Sequence, residues 1–160
     1  MKPIEVKKLF GHKNIFKEFI TINKNNKLPN KILISGTKGI GKSVLGFHLT
    51  NYLLSLNEKN SYNVKNNLIS HENRSFKLVN KLSHPNFAII EKKIEKKFIE
   101  IFQIREINNY INKSSFNNNP KIVFINGIEH LSNNSGNALL KILEEPNKNV
   151  QFIMIYNNSK

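Results

Sequence analysis

Four apolar runs punctuate the chain: Ile32-Leu33-Ile34 within 31–35, Phe87-Ala88-Ile89-Ile90, Ile122-Val123-Phe124-Ile125 and Phe152-Ile153-Met154-Ile155. Each is continuous rather than alternating, the pattern of a strand covered on both faces, as in a parallel sheet. Between them the apolar positions take helical spacing. Ile15, Phe16, Phe19 and Ile20 share one face, and Leu45, Leu49, Leu53 and Leu56 line an amphipathic stretch from Val44 to Leu56. Ile104, Ile107 and Ile111 form a third face, with Arg105 and Glu106 directed outward. A fourth helix, 134–145, carries Ala138, Leu139, Leu140, Ile142 and Leu143; Ser132, Asn133 and Asn134 offer caps and Glu144-Glu145-Pro146 a stop.

The connections are polar. Leu28-Pro29 breaks the first helix, residues 57–67 read as an exposed connection, and a modest helix follows with Leu68, Phe76, Leu78, Val79 and Leu82. Glu91–Lys97 reads as a hairpin tip with Phe98–Ile101 returning as a short strand, and 117–120 as a loop. No internal repeat is visible. Strands alternating with helices predict an α/β fold on a parallel sheet with right-handed crossovers.

Composition refines this picture in three ways. A chain of 160 residues is expected to form one domain, 1–160. Without cysteine it has neither disulfides nor a thiolate metal site. No stretch approaches eighteen apolar residues and the N-terminus lacks an apolar signal core, so the expectation is a cytoplasmic protein with no membrane partner. The formal charge of +14 invites a nucleic-acid reading. However, about one residue in six is asparagine, and Lys, Asn and Ile share A/T-rich codons. Arginine, the better phosphate fork, stands only at Arg74 and Arg105.

The chemistry concentrates at Gly36-Thr37-Lys38-Gly39-Ile40-Gly41-Lys42-Ser43, which fits G-x-x-x-x-G-K-[ST] between a predicted strand and a predicted helix. Glycines let the backbone curl so that successive N–H groups face phosphate oxygens, and the helix adds its positive end. Lys42 is placed to reach the β- and γ-phosphates and Ser43 to ligate Mg²⁺. Hydrolysis needs more, namely a carboxylate at the tip of another strand to hold the metal through water. Here the strand 122–125 runs into Asn126-Gly127, and neither is charged. Asn126 can hydrogen-bond, but it cannot balance Mg²⁺ or act as a base. Glu129, three positions on, could curl back but is read as a turn residue with a packing or partner role; His12 could be a ligand but is read as a helix cap or packing residue. The nucleotide cradle is thus expected to persist, binding ATP or ADP weakly with reduced Mg²⁺ dependence.

Several stretches together resemble the delta-prime family of bacterial DNA polymerase III clamp-loader subunits, which are AAA+ proteins. They are Leu9-Phe10-Gly11-His12, Leu28-Pro29-Asn30, Gly39-Ile40-Gly41-Lys42, His84-Pro85-Asn86-Phe87, and Ile99-Glu100-Ile101 with Gln103-Ile104-Arg105-Glu106. The most specific is Asn137-Ala138-Leu139-Leu140-Lys141-Ile142-Leu143-Glu144-Glu145-Pro146. The resemblance implies a RecA-like P-loop NTPase fold, three-layer α/β/α, with a parallel sheet in the order 5-1-4-3-2. It implies membership of a heteropentamer with gamma/tau and delta subunits that places the sliding clamp on primed DNA, this chain acting as a stator. It also implies a nucleotide set drawn from Gly36 to Ser43 with Asn126, and puts Asn157 near the family's first sensor residue. The helix 134–145 is implied as a surface for a neighbouring subunit.

The chain departs from the family pattern in lacking the cysteines of a zinc module, so 57–83 is expected as a variable insertion without zinc. The chain also stops at Lys160, before the family's fifth strand, arginine-finger motif and collar, so a partial product with strand 31–35 as an exposed sheet edge is expected. Two other readings stay open: a hydrolysing AAA+ motor of the gamma/tau or helicase-loader kind, and a lysine-driven DNA-binding module.

Overall fold

The computed structural model of the chain describes residues 1–145 and 149–158; Pro146, the expected helix stop, lies outside the described residues. The four apolar runs form β1 (Lys31–Thr37), β2 (Phe87–Glu91), β3 (Lys121–Asn126) and β4 (Val150–Asn158). All pairings are parallel, in the order β1-β4-β3-β2. This is the expected 1-4-3-2 order, with β1 at an edge and Leu33 of that strand exposed. The chain parts into two compact units, residues 1–29 with 39–84, and residues 30–38 with 85–158 among those described.

The sheet unit also contains α4 (Ile101–Ile111) and α5 (Asn133–Glu144). Their stripes, Ile104, Ile107 and Ile111 from α4 and Leu139 and Ile142 from α5, pack with Val123, Ile125 and Phe152 of the sheet in one apolar cluster. Ile122, Phe124 and Ile153 point the other way along their strands and are equally buried, which explains the uninterrupted runs. Ser132 caps α5 by accepting from the Ser135 N–H at 3.1 Å. Leu140, one of the apolar residues this helix carries, is 56% exposed.

The returning strand expected at Phe98–Ile101 does not form. Ile99 makes only a single parallel bridge to Leu131, its N–H donating to the His130 carbonyl at 2.7 Å. The reason is local. Gln103 accepts from the Glu100 N–H at 3.0 Å, a reciprocal cap that starts α4 at Ile101. At the other end of α4, the buried Lys121 of β3 donates to the carbonyls of Tyr110 and Lys113 and lies 4.7 Å from the Tyr110 ring centroid. A cation thus adds to the carbonyls at the negative end of the helix and just past it. Burial, with help from the nearby Lys113 charge, lowers the Lys121 pKa.

The other unit is built on α1 (Lys13–Lys24), α2 (Lys42–Leu54) and α3 (Arg74–Asn80). Phe16 and Ile20 are the buried positions of α1, while Ile15 is exposed. The amphipathic helix expected from Val44 to Leu56 is a buried helix instead. Every residue from Leu45 to Leu54 is buried, and Leu56 lies beyond the helix end, half exposed. Its polar residues are tolerated because they have partners. Asn51 donates to Asn73 at 2.9 Å, Thr50 donates to the Gly46 carbonyl, and His48 Nδ1 lies 2.7 Å from the Tyr62 hydroxyl.

Residues 57–67 are mostly exposed, as expected of a connection, and the helix expected after them forms as α3; a polar network ties the two together. Glu58 receives the Arg74 and Ser75 N–H groups at 3.1 Å and the Ser75 hydroxyl at 2.6 Å, a carboxylate at the start of α3. Asn73 caps the same helix by accepting from the Phe76 N–H at 2.7 Å, and donates to the Asn60 carbonyl. Tyr62, in the supposed connection, is buried beside Phe16 and His48. Leu82 ends this stretch in a left-handed turn and is exposed, contrary to its expected apolar role.

Two stability effects are expected. Burial lowers the His48 pKa to about 4, against a smaller opposing pull from the Val6 backbone. Between pH 6.5 and 4 the unfolded chain therefore binds a proton that the folded one refuses. Stability should fall through that window by up to ~1.4 kcal/mol per pH unit and show no dependence on this group above 6.5. Urea unfolding across pH measures the slope, and His48→Phe should flatten it. Lys121→Met should cost about 1.5–3 kcal/mol at neutral pH, the range for hydrogen bonds from a charged group, read from urea midpoints.

Candidate nucleotide site

The β1–α2 connection has the backbone that the glycine pattern requires. β1 runs through Gly36 and Thr37, further than the expected 31–35, leaving Lys38–Gly41 as a tight turn. Gly39 and Gly41 adopt φ near 90°, a region closed to most side chains. Gly41 is the residue before α2, and its carbonyl accepts the Leu45 N–H at 3.0 Å, so Lys42 and Ser43 are the first two helical residues. Their N–H groups belong to the first turn, at the positive end of the helix. Lys42 is buried and Ser43 partly so, while Lys38 and Ile40 are exposed.

The sheet carries Gly36, Thr37, Asn126 and Asn157 at the C-terminal ends of its strands. Gly36 pairs with Asn157, Thr37 with Asn158, and Asn126 with Ile155. Ligands of open parallel sheets bind outside this end. Asn126 donates its amide to Glu91, the last residue of β2, at 3.2 Å. Thus an acid does stand beside Asn126, contributed by the neighbouring strand.

Glu129 sits on a turn, as expected, and its side chain curls back to the sheet. Gly127 takes φ 88 and opens a 3-10 turn, Ile128–His130, that folds the chain back. The Glu129 carboxylate then accepts from the Asn157 side-chain amide at 2.5 Å and from its backbone N–H at 3.1 Å. His130 Nε2 is 3.6 Å away. Burial alone would raise the Glu129 pKa, but the two Asn157 hydrogen bonds and His130 more than offset this, and the net shift is downward. Gly127 marks where the chain turns, but nothing local in the sequence pairs Glu129 with Asn157, 28 positions further on. A Cβ placed on Gly127 would lie 3.0 Å from His130 and 3.4 Å from Glu129, so both side chains sit where a side chain at 127 would project.

Comparison with known proteins supplies the family. The family described as DNA polymerase III, delta subunit matches residues 11–160. The chain belongs to that family. A DNA polymerase III subunit delta' of Buchnera aphidicola subsp. Schizaphis graminum is 34% identical over 147 residues, covering 91% of this chain and 42% of the relative. One from Buchnera aphidicola subsp. Baizongia pistaciae is 30% identical, with 88% and 42% covered. A DNA polymerase III subunit gamma of the first organism is 30% identical over 96% of this chain and 40% of its own length. The chain thus spans about two-fifths of these relatives. Among solved structures, a DNA polymerase III gamma subunit-related protein from Thermotoga maritima superposes with TM-score 0.54 at 18% identity, covering 87% of this chain and 39% of that one, which bears on fold alone.

The contact between Glu129 and Asn157 predicts a titration. In Asn157→Ala the side-chain donor is lost, burial gains weight, and the Glu129 pKa should rise; side-chain carboxyl NMR across pH measures the shift.

Proposed function

We propose that the chain is the nucleotide-binding part of a delta-prime-like clamp-loader subunit. In this reading it joins gamma/tau and delta subunits, helps place the sliding clamp on primed DNA in the cytoplasm, and acts as a stator that does not itself hydrolyse ATP. ATP or ADP with Mg²⁺ would be held weakly. Gly36, Thr37, Lys38, Gly39, Ile40 and Gly41 would present backbone to the phosphates, with Lys42 as the cation and Ser43 as the metal ligand. Asn126 and Asn157 would add neutral hydrogen bonds at the C-terminal end of the sheet. The bound nucleotide would supply a polyanion that ties the loop and helix together. The exposed side of α5, with Leu140, Lys141 and Glu144, is the corresponding candidate for a neighbouring subunit.

The observation that carries this reading is Gly127. Position 127, next after the uncharged Asn126, is a glycine in a left-handed backbone that side chains rarely adopt, and the His130 ring would have to give by a few tenths of an ångström to admit a Cβ there. A base removed from its post typically costs 10²–10⁴-fold in rate. One observation favours a motor instead: Glu129, an ionised carboxylate, lies beside the residue-127 position.

A phosphate-release assay with partner subunits, clamp and primed DNA separates the two. Turnover assignable to this chain of about 1 s⁻¹ or more, abolished by Glu129→Gln, would establish the motor. No such turnover, with ADP binding lost about 10- to 100-fold in Lys42→Ala, is the expected result. A Lys42→Ala protein that binds ADP as well as its parent would defeat the nucleotide reading.

A further inference from the structure

The crest of the β1–α2 loop is Ile40, half exposed between the two left-handed glycines. Its carbonyl oxygen lies 2.6 Å from Nε2 of His12, a residue 28 positions earlier in the chain. A carbonyl only accepts, so the ring nitrogen is the donor and Nε2 carries the proton. His12 occupies the position before α1, where a side chain ordinarily caps the helix, yet its side chain makes no capping bond. It also adopts φ 58, a left-handed conformation uncommon for a residue with a side chain. The ring lies 3.7 Å from where a Cβ on Gly41 would be.

The consequence for the loop follows from peptide geometry. No peptide bond in the described chain is cis, and in a trans peptide the C=O of one residue and the N–H of the next point in opposite directions. Fixing the Ile40 carbonyl on the His12 ring therefore turns the Gly41 N–H away from that ring. It also keeps a negative carbonyl end from swinging toward an anion. Gly41 is the residue whose freedom most needs limiting, because glycine visits left- and right-handed regions with similar ease.

We propose that His12 is a positioning residue for the phosphate loop: its Nε2–H holds the Ile40 carbonyl and so presets the Gly41 N–H for a nucleotide phosphate. This rests on the nucleotide reading above, and two measurements keep the failures of each apart. In calorimetric titration of ADP, His12→Ala should weaken binding about 3- to 10-fold, the scale of one net hydrogen bond. His12→Gln, which keeps an N–H donor on a side chain of similar reach, should restore affinity to within about twofold.

Without nucleotide, trypsin should cut after the exposed Lys38 several-fold faster in His12→Ala and at the parental rate in His12→Gln, with cleavage after Lys97 as internal reference. Equal ADP affinity in His12→Ala, or unchanged cleavage after Lys38, overturns the proposal. A common loss in both variants accompanied by a lower melting temperature also overturns it, since that marks a role in folding alone. Failure of the parent chain to bind ADP overturns the nucleotide reading, while the trypsin rates still decide the anchor.

Discussion

β4 runs between β1 and β3, and the parallel ladders on its two sides are the constraint on which the candidate site depends. Sequence neighbours do not meet at the strand ends; register brings them there. Because β4 pairs with both strands, Gly36 arrives opposite Asn157 and Asn126 opposite Ile155. The pairing is held from both faces, by Ile153 and Ile155 on one and Phe152 on the other, so a slip of one residue would exchange side chains of different shape between two packed layers. The chemistry-bearing residues are thus located by burial of residues that carry no chemistry.

The strands were legible because a fully covered strand leaves an unbroken apolar run, a signal that needs no tertiary information. The caps of α5 were legible for a similar reason, since Ser132 acts on residues only a few positions away. α2 was misread because its polar residues, Thr50, Asn51 and His48, simulate an exposed stripe. Their partners Asn73 and Tyr62 come from a segment that looked like a loose connection. The strand expected at Phe98–Ile101 failed because a two-residue side-chain cap outweighed a short apolar alternation. In the loop that carries the glycine pattern, backbone type was readable from composition. The bonds that His12 and Glu129 make were not, since both span some 28 positions of chain.

The asparagine and lysine bias looked like the imprint of codon usage, and the fold has nevertheless put several of these residues to use. Asn86 accepts the Phe116 N–H and donates to its carbonyl, both at 2.8 Å, closing the loop before β3. Asn51 and Asn73 tie α2 to the start of α3. Lys121 is buried against a helix end. The formal charge of +14 therefore overstates what a partner would meet at the surface, because part of it is consumed internally.

The turn at Gly127 also sets how negative charge can enter this end of the sheet. A side chain at 127 would have to take a left-handed backbone, and the His130 ring would have to give by a few tenths of an ångström to admit its Cβ. Glu129 escapes both demands, because the turn carries it back from two positions further along the chain. At such a corner a carboxylate is delivered at less strain by the returning segment than by the hinge residue itself.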